Sequence, residues 1–466
     1  MSRSPEAANP EAADAALPAA GAINRRDVLR TMAALTAGAA VGLRSPAVLA
    51  QAKRFDGVTL RGACFQHVFH ENVKAYLPEF EKATGMKVEI DLQAFPVYNQ
   101  RMDLELSTQG SSYDFINITF PYSGRWVGAG WLAPLDSFVS DRNQTPAEWN
   151  PDDFVSGTQT PFRGKDGKTY GFAWEAGAMM MGIARYDLIE KAGLKIPETL
   201  EELAAVCAAV HGKDGVAAYV NDKLHHWNFP PYLMNMGGKV FRKAPDDLMP
   251  TLDTPEAARA AQYYGDLLSK YGPQGVLSFT DDQALRSQTE GRANIRTNAM
   301  AWVLPLAKRA DSKVKETTRF GMIPKGAGGR FPGSNANGYG IPVGARQKEA
   351  AWAFIQWATS KETFRRIAFE RGGLAVPRRS IIDDPEYRKV LNINGQDVAA
   401  LYLQILERAG EGNYMSYRTV PVFPQVGDKI NKAIERIASR QQSAEASMAT
   451  AQAEAVADLR KAGVAL

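Results

Sequence analysis

Val58-Thr59-Leu60-Arg61-Gly62-Ala63-Cys64-Phe65 opens the stretch that decides the fold. It continues through Asn72 to Thr84, Lys87-Val88-Glu89-Ile90-Asp91-Leu92, Tyr98 to Gln109 and Asp114-Phe115-Ile116-Asn117-Ile118. The first run reads as a strand. Asn72 to Thr84 sets Val73, Tyr76, Leu77 and Phe80 on one helical face, and Gly85 is a natural helix stop. Lys87 to Leu92 alternates as a second strand, Tyr98 to Gln109 suits a second helix, and Asp114 to Ile118 reads as a third strand. This βαβαβ rhythm predicts an α/β fold with a parallel sheet covered by helices. Ligands of such sheets settle beyond the carboxyl ends of the strands. Gln66, His67 and His70 after the first strand, and Thr119 to Tyr122 after the third, are therefore candidate site residues.

The middle of the chain reads as largely helical. Tyr186 to Ala192 is one helix, ended by Gly193, and Thr199 with Glu202 makes a capping box for the next. Thr254 starts a helix reaching about Tyr271, with Pro255 at its first position. Gln347 to Ser360 and Lys361 to Glu370 form a pair whose apolar face includes Trp352, Phe354, Ile355 and Trp357. Two amphipathic helices follow Gly427. At 466 residues the chain is too long for one ordinary core and implies about two domains. A net charge of +4, with Lys and Arg scattered among Asp and Glu, gives no footprint for nucleic acid. Cys64 and Cys207 form no zinc spacing or disulfide framework and read as buried thiols.

The first fifty residues read as an address. A disordered leader, residues 1–22, precedes Asn24-Arg25-Arg26-Asp27-Val28-Leu29-Arg30, an uncharged run from Thr31 to Leu43, and a small-residue end at Ala47-Val48-Leu49-Ala50. That three-part pattern is a signal peptide, too short to span a bilayer. Paired arginines before a weak apolar core resemble the twin-arginine export signal. Export to the periplasm by the twin-arginine machinery, with cleavage near Ala50, is the expectation. No other segment is apolar enough to cross a membrane.

Several phrases in order resemble the family 1 extracellular solute-binding proteins, the maltose-binding type. They are Phe80-Glu81-Lys82-Ala83-Thr84-Gly85-Met86-Lys87-Val88, Gly130-Trp131-Leu132-Ala133-Pro134-Leu135-Asp136, and Gly167-Lys168-Thr169-Tyr170-Gly171-Phe172 with Arg185-Tyr186-Asp187-Leu188. Lys191-Ala192-Gly193-Leu194 with Pro197-Glu198-Thr199, then Gly338-Tyr339-Gly340-Ile341-Pro342 with the helix after it, and Pro424-Gln425 complete the series. The resemblance implies a two-lobed periplasmic binding protein fold whose lobes are joined by a hinge of several crossovers. Carried over, residues 51–172 and 326–374 form the first lobe, and 173–325 and 375–466 the second. It also implies a soluble, monomeric carrier that closes on a small carbohydrate or polyol and delivers it to the membrane subunits of an ABC importer.

A sugar or polyol needs aromatic faces for its C–H surface and planar polar groups for its hydroxyls. Trp174-Glu175 stands at the first proposed hinge, where the family commonly contacts ligand. Trp227, in His225-His226-Trp227, aligns with an aromatic ligand contact of the family, and Trp302 resembles its second-lobe stacking Trp; core packing is the other reading for Trp302. Tyr339 lies between two glycines that allow close approach, and Arg371 is a bidentate donor to hydroxyls, a carboxylate or a phosphate, or else a helix-terminal surface charge. Arg371-Gly372-Gly373 precedes a strand-like Leu374 to Arg378. Met179-Met180-Met181 reads as core.

Adjacent His225 and His226 point apart and lack a third ligand, so no metal is expected. No cofactor is expected either. There is no G-x-S-x-G elbow, no P-loop and no H-E-x-x-H, and Gly326-Ala327-Gly328-Gly329 lacks the Lys-Ser/Thr ending of a phosphate loop. Binding without catalysis is the expectation. A glycerol-phosphate or other anionic-solute carrier, and a secreted carbohydrate-active enzyme, are the alternatives.

Overall fold

Strand β1 (Thr59–Phe65) buries Leu60 and then Gly62 through Phe65. Gly62 has to be glycine, because a Cβ there would lie 2.0 Å from Cζ of Phe115 on a neighbouring strand. Helix α1 (Val68–Thr84) follows at once. It starts before the predicted Asn72 because His67 caps it: the His67 Nδ1 accepts the Phe69 N–H at 3.2 Å. Gly85 ends it in the left-handed region, φ 78°. Strand β2 (Lys87–Gln93), helix α2 (Phe95–Ser107, with a proline in its first turn) and strand β3 (Phe115–Ile118) complete the opening unit. β1 pairs parallel with both β2 and β3.

The computed structural model describes residues 54–298, 306–372, 375–412 and 414–466. The expected leader and export signal, and Trp302, lie outside those residues. Onward from β3 come α3 (Phe120–Gly128), β4 (Phe172–Ala178), β5 (Met181–Ile183) and α4 (Leu200–Val210). Next are β6 (Ala217–Tyr219), the short α5 (His225–Asn228), α6 (Pro255–Tyr271), β7 (Ala293–Arg296) and β8 (Arg319–Gly321). The chain closes with β9 (Ser334–Gly340), α7 (Lys348–Ala358), α8 (Lys361–Arg371), α9 (Val398–Glu411), α10 (Phe423–Ala438) and α11 (Ala444–Lys461). Thr199 and Glu202 form the expected capping box ahead of α4, and Thr254 caps α6 through the Ala257 N–H. α10 begins before Gly427, with a proline in its first turn.

Two sheets organise these elements. The first has five strands in the order β2-β1-β3-β9-β4, with β9 antiparallel to both of its neighbours. The second has four, β8-β5-β7-β6, parallel only between β7 and β6. Two hydrophobic clusters pack around these sheets, the first also taking in Phe320 of β8. One gathers Leu60, Phe115, Trp174, Trp352 and Phe354; the other gathers Met181, Leu203, Tyr219, Tyr264, Ile430 and Leu459. Of the methionine run, Met180 joins the first core and Met181 the second, so the chain changes lobe there. Cys64 and Cys207 are buried free thiols. Among the described residues no helix is long and apolar enough to cross a membrane.

Two of the three expected lobe boundaries do not coincide with the sheet and cluster memberships. β4 stays in the first sheet to Ala178, so the crossing follows Ala178 rather than residue 172. Residues 375–406, expected in the second lobe, bury Val376, Ile381, Tyr387, Tyr402 and Leu406 in the cluster that holds Leu60 and Trp352, while Gln396 exchanges hydrogen bonds with Phe320 of β8 in the second sheet. The Tyr402 hydroxyl donates to the Ala176 carbonyl at 2.5 Å. The chain rejoins the second core only at Ala409. The strand read over Leu374 to Arg378 is reduced, among its described residues, to a single bridge from Arg378 to Phe154. A buried guanidinium ties that bridge down. Arg378 donates to the Thr359 and Asn150 carbonyls and pairs with Asp153, and burial pushes its pKa down to about 10.

Candidate functional site

Where the two cores meet, one wall is built on β4 and β9. Trp174 is the extra residue where the β4–β9 register shifts, which breaks the alternation of faces between it and Glu175. The His67 ring lies 4.9 Å from the Trp174 ring. Trp174 is fully buried, its indole N–H donating to Asn117 Oδ1 at 2.5 Å and its ring stacked on Phe69 at 4.8 Å. Glu175 has its Oε2 held by Asn337 Nδ2 at 2.7 Å. Its Oε1 lies 3.4 Å from His67 Nε2. Because His67 Nδ1 is committed as the helix cap, the neutral ring carries its proton on Nε2, facing that carboxylate. Asn337 sits at a register shift in the β9–β4 pairing, and its Oδ1 accepts the Phe120 N–H at 3.3 Å.

Phe120, at the start of α3, connects the walls. Its backbone is tied to Asn337, while its ring packs against the second core and lies 5.8 Å from the Trp227 ring. Trp227, on α5, is half-buried. The Arg418 guanidinium carbon lies 3.5 Å from its centroid, 5.3 Å from that of Phe120 and 5.6 Å from that of Phe423. Arg418 is only 6% exposed, and its Nε and Nη1 have no hydrogen-bond partner. The Arg418 charge and its contact with the Tyr414 and Tyr417 hydroxyls oppose the rise that burial gives both tyrosine pKa values. Asn298 donates to the Trp227 carbonyl at 2.9 Å. Gly333 marks the crossing itself: a Cβ on it would meet Asn298 Oδ1 and Met179 Cγ at 2.8 Å and the Tyr414 hydroxyl at 3.0 Å.

The second wall is braced from behind. Arg296 pairs with Asp222 at 2.5 Å in a fully buried contact and also with Asp281. Burial raises the Asp281 pKa against the pull of that guanidinium. Thr297 Oγ1 lies 2.9 Å from both the Tyr219 and Tyr232 hydroxyls, fixing the backbone that presents Asn298. His225 and His226 diverge as expected, the first to the Tyr264 hydroxyl and the second to Asn431. Burial pushes the His225 pKa down to about 4, and burial with the Arg418 charge lowers that of His226.

Of the residues singled out from sequence, the structure brings His67, Glu175 and Trp227 to this seam. His70, Trp174 and Tyr339 stand behind it, fully buried, with His70 Nδ1 2.8 Å from the Tyr339 hydroxyl. Burial holds the His70 imidazole neutral, its pKa well below the usual range. Gln66 is exposed, and Tyr122 is half-buried against Trp126. Arg371 is exposed in the last turn of α8, 5.4 Å from the Tyr76 ring, which is the surface, helix-terminal placement. Sequence reasoning included Phe120, within Thr119 to Tyr122, and did not single out Asn337, Asn298, Tyr414 or Arg418. Only Arg418 carried a signal, a lone cation in the aromatic run Tyr414-Met415-Ser416-Tyr417-Arg418. A separate open pocket beside α10, lined by Ser278, Lys432, Glu435, Arg436 and their neighbours, holds no aromatic side chain and none of the seam residues.

Known proteins share this architecture. The chain is 25% identical over 388 residues to the mannitol-binding protein of Pseudomonas aeruginosa, covering 79% of this chain and 85% of that one. A solute-binding protein of an ABC transporter from Agrobacterium radiobacter K84, in complex with ribitol, superposes with a TM-score of 0.69 at 22% identity, covering 86% of this chain and 99% of the other. One from Agrobacterium vitis S4, with bound D-mannitol, gives 0.67 at 24% identity, covering 87% and 99%. The family model for bacterial extracellular solute-binding proteins matches residues 68–363. With its two α/β lobes meeting at a polar and aromatic seam, the chain belongs to the bacterial extracellular solute-binding proteins.

Proposed function

We propose that the seam is a ligand cleft, and that the chain is exported, captures a small sugar, oligosaccharide or polyol there, and presents it to the membrane subunits of an ABC importer. One observation carries the reading. A carboxylate held in place by Asn337 and His67 shares its seam, through Phe120, with a half-buried indole and a hydrogen-bond-hungry guanidinium. A hydroxyl donates to Glu175, its neighbours accept from Arg418, and the C–H face covers Trp227. His67, Glu175 and Trp227 are thus the sequence-derived ligand contacts, with Trp302 a further candidate. Names of relatives that bind mannitol and erythritol support a polyol. The twin-arginine signal, cleavage near Ala50 and a monomeric periplasmic carrier complete the proposal.

The cleft holds its solute without reacting with it. Closure follows because a ligand touching both lobes stabilises only the state in which both contacts exist. The test is a thermal-shift screen of the purified mature chain across sugars, polyols and sugar phosphates, with a reducing-sugar assay on oligosaccharides beside it. Stabilisation by a polyhydroxylated ligand with no product released is expected. Release of reducing sugar, or no stabilisation by any member of the panel, contradicts it.

A further inference from the structure

Glu175 and Arg418 place unequal demands on a ligand. Both Glu175 oxygens already have a neighbour, Asn337 for one and His67 for the other. Among the described residues Arg418, only 6% exposed, pairs with no carboxylate; the polar groups beside its charge include the neutral Tyr414 and Tyr417 hydroxyls. The chain between Asn298 and Leu306 reads Ala-Met-Ala-Trp-Val-Leu-Pro and contains no acidic side chain. A guanidinium is never neutral in a protein, so a positive charge is buried between Trp227, Phe120 and Phe423 without a counter-ion. Its face is spent on the Trp227 indole, so an anionic acceptor meets it in the guanidinium plane, where a carboxylate is the complementary charge.

We propose that the preferred ligand is a polyhydroxylated monocarboxylic acid, an aldonate-like chain, with its carboxylate on Arg418 and its hydroxyls running towards Glu175. The inference rests on the cleft reading above and names the ligand class within it. A monoanion matches the single guanidinium. A phosphate dianion would leave surplus negative charge in a site that already holds Glu175. The polarity of the seam also orients the acid, since its carboxylate is repelled at one end and neutralised at the other.

The experiment is isothermal titration of the mature protein with D-mannitol, D-mannonate and D-mannitol 1-phosphate, then ribitol and D-ribonate, at two salt concentrations. The acid should bind at least ~10-fold tighter than its alditol, a difference of about 1.4 kcal/mol. Its affinity should fall with salt while that of the alditol holds. In Arg418→Gln the preference for acid should vanish, and in Arg418→Lys it should shrink but persist. Alditols binding as tightly as acids, the phosphate ester binding best, or an acid preference that survives Arg418→Gln would each overturn the proposal. The comparison of ligands on the unaltered protein decides even if a variant fails to fold. Tight binding of alditols alone sinks only this inference; a panel with no binder of any kind sinks the carrier reading as well.

Discussion

Glu175 is 8% exposed, and its Oε2 already accepts from Asn337. A glutamine there keeps the volume and an oxygen for Asn337, yet loses the charge that strengthens a bond from a ligand hydroxyl. Glu175→Gln should therefore weaken ligand binding by roughly 1.5–3 kcal/mol, the range for hydrogen bonds to charged groups, while shifting Tm little. Titration calorimetry beside thermal unfolding checks this, and a large loss of Tm with affinity unchanged would reassign Glu175 to structure. His67 and Glu175 were legible as candidates because each is polar and follows or sits in a strand. Trp174, His70 and Tyr339 were misplaced for a physical reason. Burial of an aromatic leaves the same sequence mark whether the ring faces a ligand or the interior.

At the scale of elements, the crossing between lobes is tight. Gly333 fits against Met179, Asn298 and Tyr414 only because it has no side chain. Gly333→Ala should overpack the crossing and cost about 1–3 kcal/mol of stability. Urea unfolding should show this as a lower midpoint, and ligand affinity should fall too, because Asn298 and Tyr414 must move; an unchanged midpoint would mean the crossing yields freely. Helix boundaries were legible where a local device sets them, as with Thr199 and Glu202 ahead of α4 or Thr254 ahead of α6. They were missed where the device was unusual, since His67 as the cap of α1 belongs to no standard list of capping residues.

For the whole molecule, hinge closure moves one sheet with its helices against the other about the chain crossings beyond Ala178 and near Gly333. Phe120 already bridges from the first lobe to Trp227 and Arg418 of the second. A saturating ligand should reduce the radius of gyration in small-angle scattering, with no change in secondary structure by circular dichroism. An unchanged radius would contradict hinge closure.

What the sequence determined by itself was local. The βαβαβ order, the helix stops and caps, and the phrases that resemble one family depend on residues within a few positions of one another, and the chain writes those down directly. Tertiary structure alone decided what 375–406 pack against, that Asn337 would hold Glu175, and that Arg418 would arrive beneath Trp227 with no acid beside it among the described residues. Those outcomes come from packing between segments far apart in the chain, where burial and counter-charge depend on every neighbour at once.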